Sequence, residues 1–459
     1  MEEKSPQLDT NHPGGTGRAP GGSAELWALA LPVIVATLSQ TLMGLVDTFF
    51  MGRIGTAEQG AVGIAAVIFI TISSLFIGTV HGVATFVAQH HGAEKYARCG
   101  RDGWMGLYFC IPAALVLGSI SFLSQPIFTV IGLDHSTLPH ATDYLFIRLA
   151  GVIFPMINFA LVNFLRGIGD TRTPMWFTLG ANVLNAFLNY ALVLGNWGAP
   201  RLGATGAALA TVIATAVFSL VYIGFFLSGE RHRKYGTRSM SLPSKKDVVA
   251  FLKIGGPIGG IWTLEMASWS VFMAFVSHLG NAELAATNIT FQVLHFSFMG
   301  AVSLATAATT LVGQYLGAED PETAKKTART TIRWGITYCV TVGSVFLLAR
   351  HQIVAFFNAD RAVVEIGGRL FVYAAVFQFF DGLGISSNGV IRGAGDTRWP
   401  MVLMVILAWG VFVPLTYTLT FALDWGIDGA WIAVVVFIAA LGIGLYFRQR
   451  SGKWLGMRV

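Results

Sequence analysis

The stretch RGIGDTRTPM at residues 166–175 recurs as RGAGDTRWPM at residues 392–401, with eight of ten positions identical and an offset of 226. The likeness extends outward from this pair. Pro32 aligns with Pro257, Gly55 with Gly280, and Gln89-x-x-Gly92-Ala-Glu94 with Gln314-x-x-Gly317-Ala-Glu319, all at an offset of 225. Later, Gly203-x-x-Gly206-Ala matches Gly426-x-x-Gly429-Ala. The chain is thus two copies of one unit. Within the motif, Gly167 and Gly169 suit the end of one helix. Asp170 or Thr171 suits the cap of the next, whose first turn accepts Pro174. This turn-and-cap reading, with the arginines as anchors at the helix ends, is preferred over a direct functional role.

The 459 residues are 54% hydrophobic and only 12% charged. A soluble domain carries roughly 25% charged residues. The composition excludes a soluble enzyme, a disordered chain and a disulfide scaffold, and points to a polytopic membrane protein. Apolar stretches lie near 26–51, 60–88, 104–131, 143–165, 175–195 and 204–228, then near 250–278, 284–312, 333–357, 368–391, 401–423 and 427–447. The expected fold is all-α, with twelve transmembrane helices in two six-helix repeats. The expected organisation is a disordered cytoplasmic tail over 1–23, an N-terminal six-helix bundle over 24–228 and a basic cytoplasmic linker over 229–248. A C-terminal bundle over 249–447 and a cytoplasmic tail over 448–459 complete it. Six spans per copy give both copies one orientation, so the symmetry axis runs along the membrane normal. Transporters built this way bind their substrates near the midplane.

Basic residues test the span count. Lys95, Arg98 and Arg101, then Arg166 and Arg172, then six bases between Arg231 and Lys246 fall in alternate loops. The series continues with Lys325, Lys326, Arg329 and Arg333, then Arg392 and Arg398, then the C-terminal tail. The opposite loops hold few, mainly Arg53, Arg201, Arg350 and Arg361. This is the positive-inside pattern, with both termini cytoplasmic in a bacterial-type inner membrane. The net charge of +6 therefore reads as topology, and no nucleic-acid partner is implied. Cys99, Cys110 and Cys339 have neither disulfide-like nor metal-like spacing.

A charged side chain at the bilayer centre costs on the order of 2.5–3.5 kcal/mol on insertion scales, so it needs a reason to be there. Glu265 lies 12 residues past Lys253 and 13 before His278, and Asp381 lies 12 after Arg369 and 11 before Arg392. Each is roughly 15 Å or more from either helix end. Asp47 is shallower, one to two turns from the extracellular end of the first span. No Lys or Arg is expected at comparable depth. A buried carboxylate without a counter-cation favours its protonated form and releases the proton when a cation arrives, as cation exchange requires. The candidate coupling residues are therefore Glu265, Asp381 and Asp47, and Glu265 and Asp381 are metal ligands only if the coupling ion is Na⁺. Glu265 aligns with Gln40, Asp381 with Pro155 and Asp47 with Phe272, so each acid belongs to one half alone.

Candidate substrate-cavity residues flank these acids. In the first half they are Asn158, Asn163, Asn182, Asn185 and Asn189, the last three sharing one helix face. Amides inside lipid serve equally as interhelical ties. In the second half they are Trp262, Met266, Trp269, Phe377 and Phe380, whose rings and thioether suit an organic cation but also suit plain packing. His295 is read as a packing residue. The run Gly255-Gly256-Pro257-Ile258-Gly259-Gly260 precedes Glu265 and suits a kink that could act as a hinge. Neither a Walker A motif nor a zinc-protease motif is present.

The sequence resembles the MATE (multidrug and toxic compound extrusion) family over residues 24–447. The likeness rests on VDTFFMGRIG in the first span, VATFVAQHHGA after the second, both RGxGDTRxPM copies, LGATGAALAT, and the acids Glu265 and Asp381. It implies a V-shaped pair of bundles that exports organic cations or other amphipathic compounds against H⁺ or Na⁺ by alternating access. Glu265 and Asp381 look like the acids of the NorM-like branch, and Asp47 matches a first-helix acid of prokaryotic members. Asn189 stands where the DinF-like branch often has an acid, and Phe377 where some Na⁺-coupled members have a tyrosine. No cofactor beyond the coupling ion and no obligate protein partner are expected, only organic cations and membrane lipid. A lipid-linked precursor flippase is the alternative, and it would favour bases deep in the cavity. A membrane-embedded enzyme or a scaffold is the reading from a different class.

Overall fold

A computed structural model of the chain describes residues 18–240 and 242–459. The part of the expected tail before residue 18 lies outside them. Among the described residues the regular structure is entirely helical: α1 (Ser23–Gly52), α2 (Thr56–Val80), α3 (Gly82–Gly92), α4 (Tyr96–Ser121), α5 (Ser124–Ile131), α6 (Leu138–Ala150), α7 (Ile153–Gly167), α8 (Arg172–Leu192), α9 (Gly203–Phe226) and α10 (Gly229–Tyr235). The second half holds α11 (Lys245–Ser277), α12 (Asn281–Gly317), α13 (Pro321–Leu348), α14 (Arg350–Phe357), α15 (Arg361–Gly393), α16 (Arg398–Val405), α17 (Val413–Tyr417) and α18 (Gly426–Arg450). Two π-helical segments, Ile406–Phe412 and Thr418–Ala422, flank α17 in one continuous rod.

Among the described residues, ten helical rods are long and apolar enough to cross a membrane, and the bent pair α6–α7 makes an eleventh. The twelfth is α8. It is 21 residues long, but its three asparagines keep it out of that apolar set. Other stretches are revised. The run near 104–131 divides into α4 and the short α5. The run near 143–165 is bent by 48° between α6 and α7. Pro155 lacks the N–H that would bond back to Gly151 and carry α6 onward. The run near 333–357 begins earlier, at Pro321, and ends at Leu348 before a separate α14. Asp320 caps that early start by accepting the Thr323 N–H at 3.0 Å, and proline suits the first helical position.

The backbone carries the repeat as well. Glu94 and Glu319 both adopt left-handed conformations, with φ of 56° and 60°. Gly169 and Gly395, in the two copies of the motif, have φ of 86° and 88°. A residue with a Cβ is strained there, which accounts for glycine in both copies.

The compact units are not cut at the linker. One comprises residues 35–90 and 95–259, and the other residues 18–34, 91–94 and 260–459. α1 changes unit after Ile34 and α11 after Gly259, in each case two residues past the aligned prolines Pro32 and Pro257. In the first unit, the start of α11 lies on α2 through glycines. A methyl group on Gly255 would run into the Thr79 carbonyl, and one on Gly259 into the Leu75 carbonyl. The expected linker contains α10, and Trp104 Nε1 donates to the Thr237 carbonyl at 2.6 Å. In the second unit, the buried Glu25 holds the start of α1. Its carboxylate accepts from Gly21 N at 2.8 Å and from the Tyr315 hydroxyl at 2.7 Å. Trp454, past the end of α18, is buried in the same cluster as Leu26 and Leu29.

Candidate functional site

Each unit has a polar centre inside its helices. In the second unit, Glu265 comes from α11 and Asp381 from α15, and both are half-buried. The two carboxylates act electrostatically on each other, and no base among the described residues bears on either. Trp269, one turn beyond Glu265, donates its indole N–H to that carboxylate. The Trp269 ring is also packed edge-on against Phe291 and Phe412, each 5.3 Å away between centroids, and near Phe272 at 5.8 Å. It therefore orients Glu265 from within the core. Asp381 accepts no hydrogen bond from a described residue. Two carboxylates that act on each other in a low-dielectric interior are favourably placed to share a cation or proton.

Around them, Phe377 belongs to the core, whereas Phe380 and Trp262 are half-buried and Met266 is exposed. His295 is exposed on α12, so the expectation that it packs is corrected. No group of three or more metal-ligating side chains occurs among the described residues.

In the first unit the amides are engaged with neighbouring helices. Asn189 Nδ2 donates to Asp47 Oδ1 at 2.5 Å and to Asn185 Oδ1 at 3.0 Å, and Asn185 Nδ2 donates to Thr211 Oγ1 at 3.3 Å. This chain joins α1, α8 and α9. Asn182 Nδ2 donates to Ser39 Oγ. Asn158 donates to the Thr215 carbonyl at 3.2 Å and accepts from Ser219 Oγ at 2.9 Å. Asn163 bonds only within α7, to the Phe159 carbonyl at 2.8 Å. Of the asparagines, the structure brings Asn185 and Asn189 to the acid. Asn158, Asn163 and Asn182 have other partners.

Sequence reading also missed a base. Arg148 stands in the last turn of α6, beside the bend, about 15 Å along the helix from Leu138 at 1.5 Å per residue. Its charge acts on Asp47. Nη1 donates to the Tyr144 hydroxyl at 3.1 Å, and the guanidinium lies over the Phe69 ring, 4.5 Å from its centroid. Arg148 bears on Asp47, the shallowest of the three acids, and on neither Glu265 nor Asp381. The signal was a single arginine in YLFIRLAGVIF, which the surrounding apolar residues masked.

The repeated motif is structural in both copies. Asp170 accepts from Thr173 N at 3.0 Å and pairs with Arg231 at 3.0 Å, and Asp396 pairs with Arg448 at 2.7 Å. Asp170, rather than Thr171, provides the cap. His90 pairs with Asp102 at 2.6 Å.

Comparison with known proteins agrees with this architecture. The MatE family model matches residues 32–191 and 257–418, one match in each half. A multidrug resistance protein NorM from Burkholderia vietnamiensis is 30% identical over 432 residues, covering 92% of each chain. The multidrug resistance protein PmpM from Pseudomonas aeruginosa is 30% identical over 448 residues, covering 94% of this chain and 91% of its own. Among solved structures, a MATE protein in a bent conformation has a TM-score of 0.86 at 19% identity, over 94% of this chain and 96% of that one. An outward-facing multidrug resistance MATE transporter has a TM-score of 0.82 at 21% identity, over 94% and 96%.

Proposed function

The chain belongs to the MatE family, and from that premise we propose that it is a secondary active multidrug exporter. It is a transporter, not an enzyme, and a multi-pass membrane protein. On our reading it lies in a bacterial-type inner membrane with both termini cytoplasmic, as its loop charges favour. It exchanges organic cations or other amphipathic compounds for H⁺ or Na⁺, which Glu265 and Asp381 bind. The carrying observation is that these two carboxylates, from α11 and α15, act on each other while no base among the described residues bears on either. Such a pair accepts a proton or a monovalent cation, and its occupancy shifts the conformational equilibrium only through unequal affinity for the two states. The flippase alternative is disfavoured, because one arginine beside a carboxylate does not make a pyrophosphate site.

The test is uptake of a fluorescent organic cation into inverted vesicles under separately imposed proton and sodium gradients. The gradient that drives uptake identifies the coupling ion. Glu265→Gln and Asp381→Asn each reduce driven uptake to the level of empty vesicles while the protein still inserts. Wild-type uptake by Asp381→Asn overturns the assignment.

A further inference from the structure

We propose that the end of the first unit that carries α10 is a binding surface for an acidic phospholipid. Bases from α4, α10 and α11 take the phosphodiester headgroup, and apolar side chains of the linker meet the acyl chains. The inference goes beyond the export reading and needs only that the chain lies in a membrane.

The first observation is unspent positive charge. Residues 229–253 hold seven bases and two acids. Arg231 is turned to Asp170, 3.0 Å away, but Lys234, Arg238, Lys245 and Lys246 are exposed. α4 adds Arg98 and Arg101, also exposed and one turn apart. Asp247, the acid among them, is already engaged. Its Oδ2 accepts from Ser244 N at 3.0 Å and from Ser244 Oγ at 2.7 Å, and its Oδ1 lies 3.8 Å from Arg98 Nη1. One carboxylate so placed leaves most of the surrounding charge without a partner acid.

The second is convergence. The Arg98–Asp247 contact joins the start of α4 to the start of α11. From α10, Lys234 Nζ lies 5.2 Å from the ring centroid of Tyr96, two residues before Arg98, and Tyr96 packs edge-on against Tyr235 at 5.9 Å. Arg238 Nε donates to the Leu227 carbonyl at 2.9 Å, just past the end of α9. Orientation in a membrane asks only that bases lie on the correct side. It does not ask that separate stretches bring them together. The second half shows bases spent on the chain itself. At an offset of 225, Arg98 falls on Thr323 and Arg101 on Lys326. Lys326 donates to the Pro20 carbonyl at 2.8 Å, and Lys325 pairs with Glu322 at 2.7 Å.

The third selects a lipid over a soluble anion. Met240 is 61% exposed and Leu242 82% exposed, and both lie between Arg238 and Lys245. Val249 and Leu252 are exposed on the first turns of α11. A free phosphate gains nothing from these side chains. A segment at the membrane interface uses both, with bases at the headgroups and apolar groups at the acyl boundary. Four to eight bases next to a span are the pattern that anionic lipid headgroups recognise.

The experiment measures lipid binding to the purified full chain in detergent by native mass spectrometry. The probes are phosphatidylglycerol and phosphatidylcholine, with inorganic phosphate as a competitor. Phosphatidylglycerol is expected to bind more tightly than phosphatidylcholine, and phosphate at matched concentration is expected not to displace it. Lys245→Gln with Lys246→Gln weakens phosphatidylglycerol binding by about fivefold per base. Arg329→Gln with Arg333→Gln, which removes the same charge from α13, leaves the affinity unchanged. Met240→Ser with Leu242→Ser weakens binding at constant charge, and carries the test where the lysine variant does not fold. Equal losses from the two charge pairs overturn the inference, because net charge alone then attracts the lipid. Displacement by phosphate, or full affinity in the Met240 and Leu242 variant, overturns it in favour of a site for soluble anions. Equal affinity for the two lipids overturns it outright, and each of these results leaves the export reading intact.

Discussion

At the scale of single residues, partner choice separates roles that look alike in sequence. Five asparagines were equal candidates for a cavity. In the fold Asn189 joins Asp47 to Asn185, while Asn163 only bonds to its own helix. Their substitutions therefore differ in cost. Asn189→Leu strips Asp47 of its donor and lowers stability by about 1–2 kcal/mol. Asn163→Leu, of similar volume and with no interhelical bond to lose, is close to neutral. Thermal unfolding of the two variants in detergent checks the difference, and equal losses would contradict it. Glu265 and Asp381 were legible because each is the one charged residue in its run, 254–277 and 370–391, and such a charge is conspicuous when no base is near. Arg148 was equally conspicuous by type, but it stands in a stretch whose depth depends on a bend that hydropathy does not report.

At the scale of elements, boundaries were legible where capping chemistry and hydropathy coincide, and misread where they part. α13 begins with charged turns, TAKKTARTTIR, so its apolar run starts well after the helix itself. Asp320, with Pro321 behind it, marks the true start. Asp320→Ala removes that cap and costs about 1 kcal/mol, measured as a shift in the thermal midpoint. No shift would mean that packing alone sets the start of α13. The α6–α7 bend of 48° has a local cause in Pro155. α8 shows the converse. Its polarity lowers its hydropathy, and its hydrogen bonds to α1 and α9 restore the balance by satisfying those amides.

At the scale of the whole molecule, orientation is the leading consequence of charge placement. The three native cysteines are buried and are poor targets for a soluble reagent. New cysteines at exposed Ser136 and Ser244 therefore report topology cleanly. A membrane-impermeant maleimide is expected to label Ser136→Cys in intact cells and Ser244→Cys only after permeabilisation. The reverse pattern would invert the topology drawn from the loop charges. The tethers near Asp170 and Asp396 recur because each copy must fasten the end of its last span, through Arg231 and Arg448.

The sequence by itself determined the repeat, the all-helical membrane architecture, the loop-charge asymmetry and the two acids of the second unit. These are properties of composition and spacing along the chain, which hydrophobic burial and helix geometry translate directly. Only the tertiary structure decided which amides tie helices together, that Trp269 braces Glu265, that Asn189 donates to Asp47, and that α1 and α11 change unit just past their prolines. Those facts depend on side chains from helices distant in sequence meeting at one depth, and no local pattern encodes which neighbour a helix face will meet.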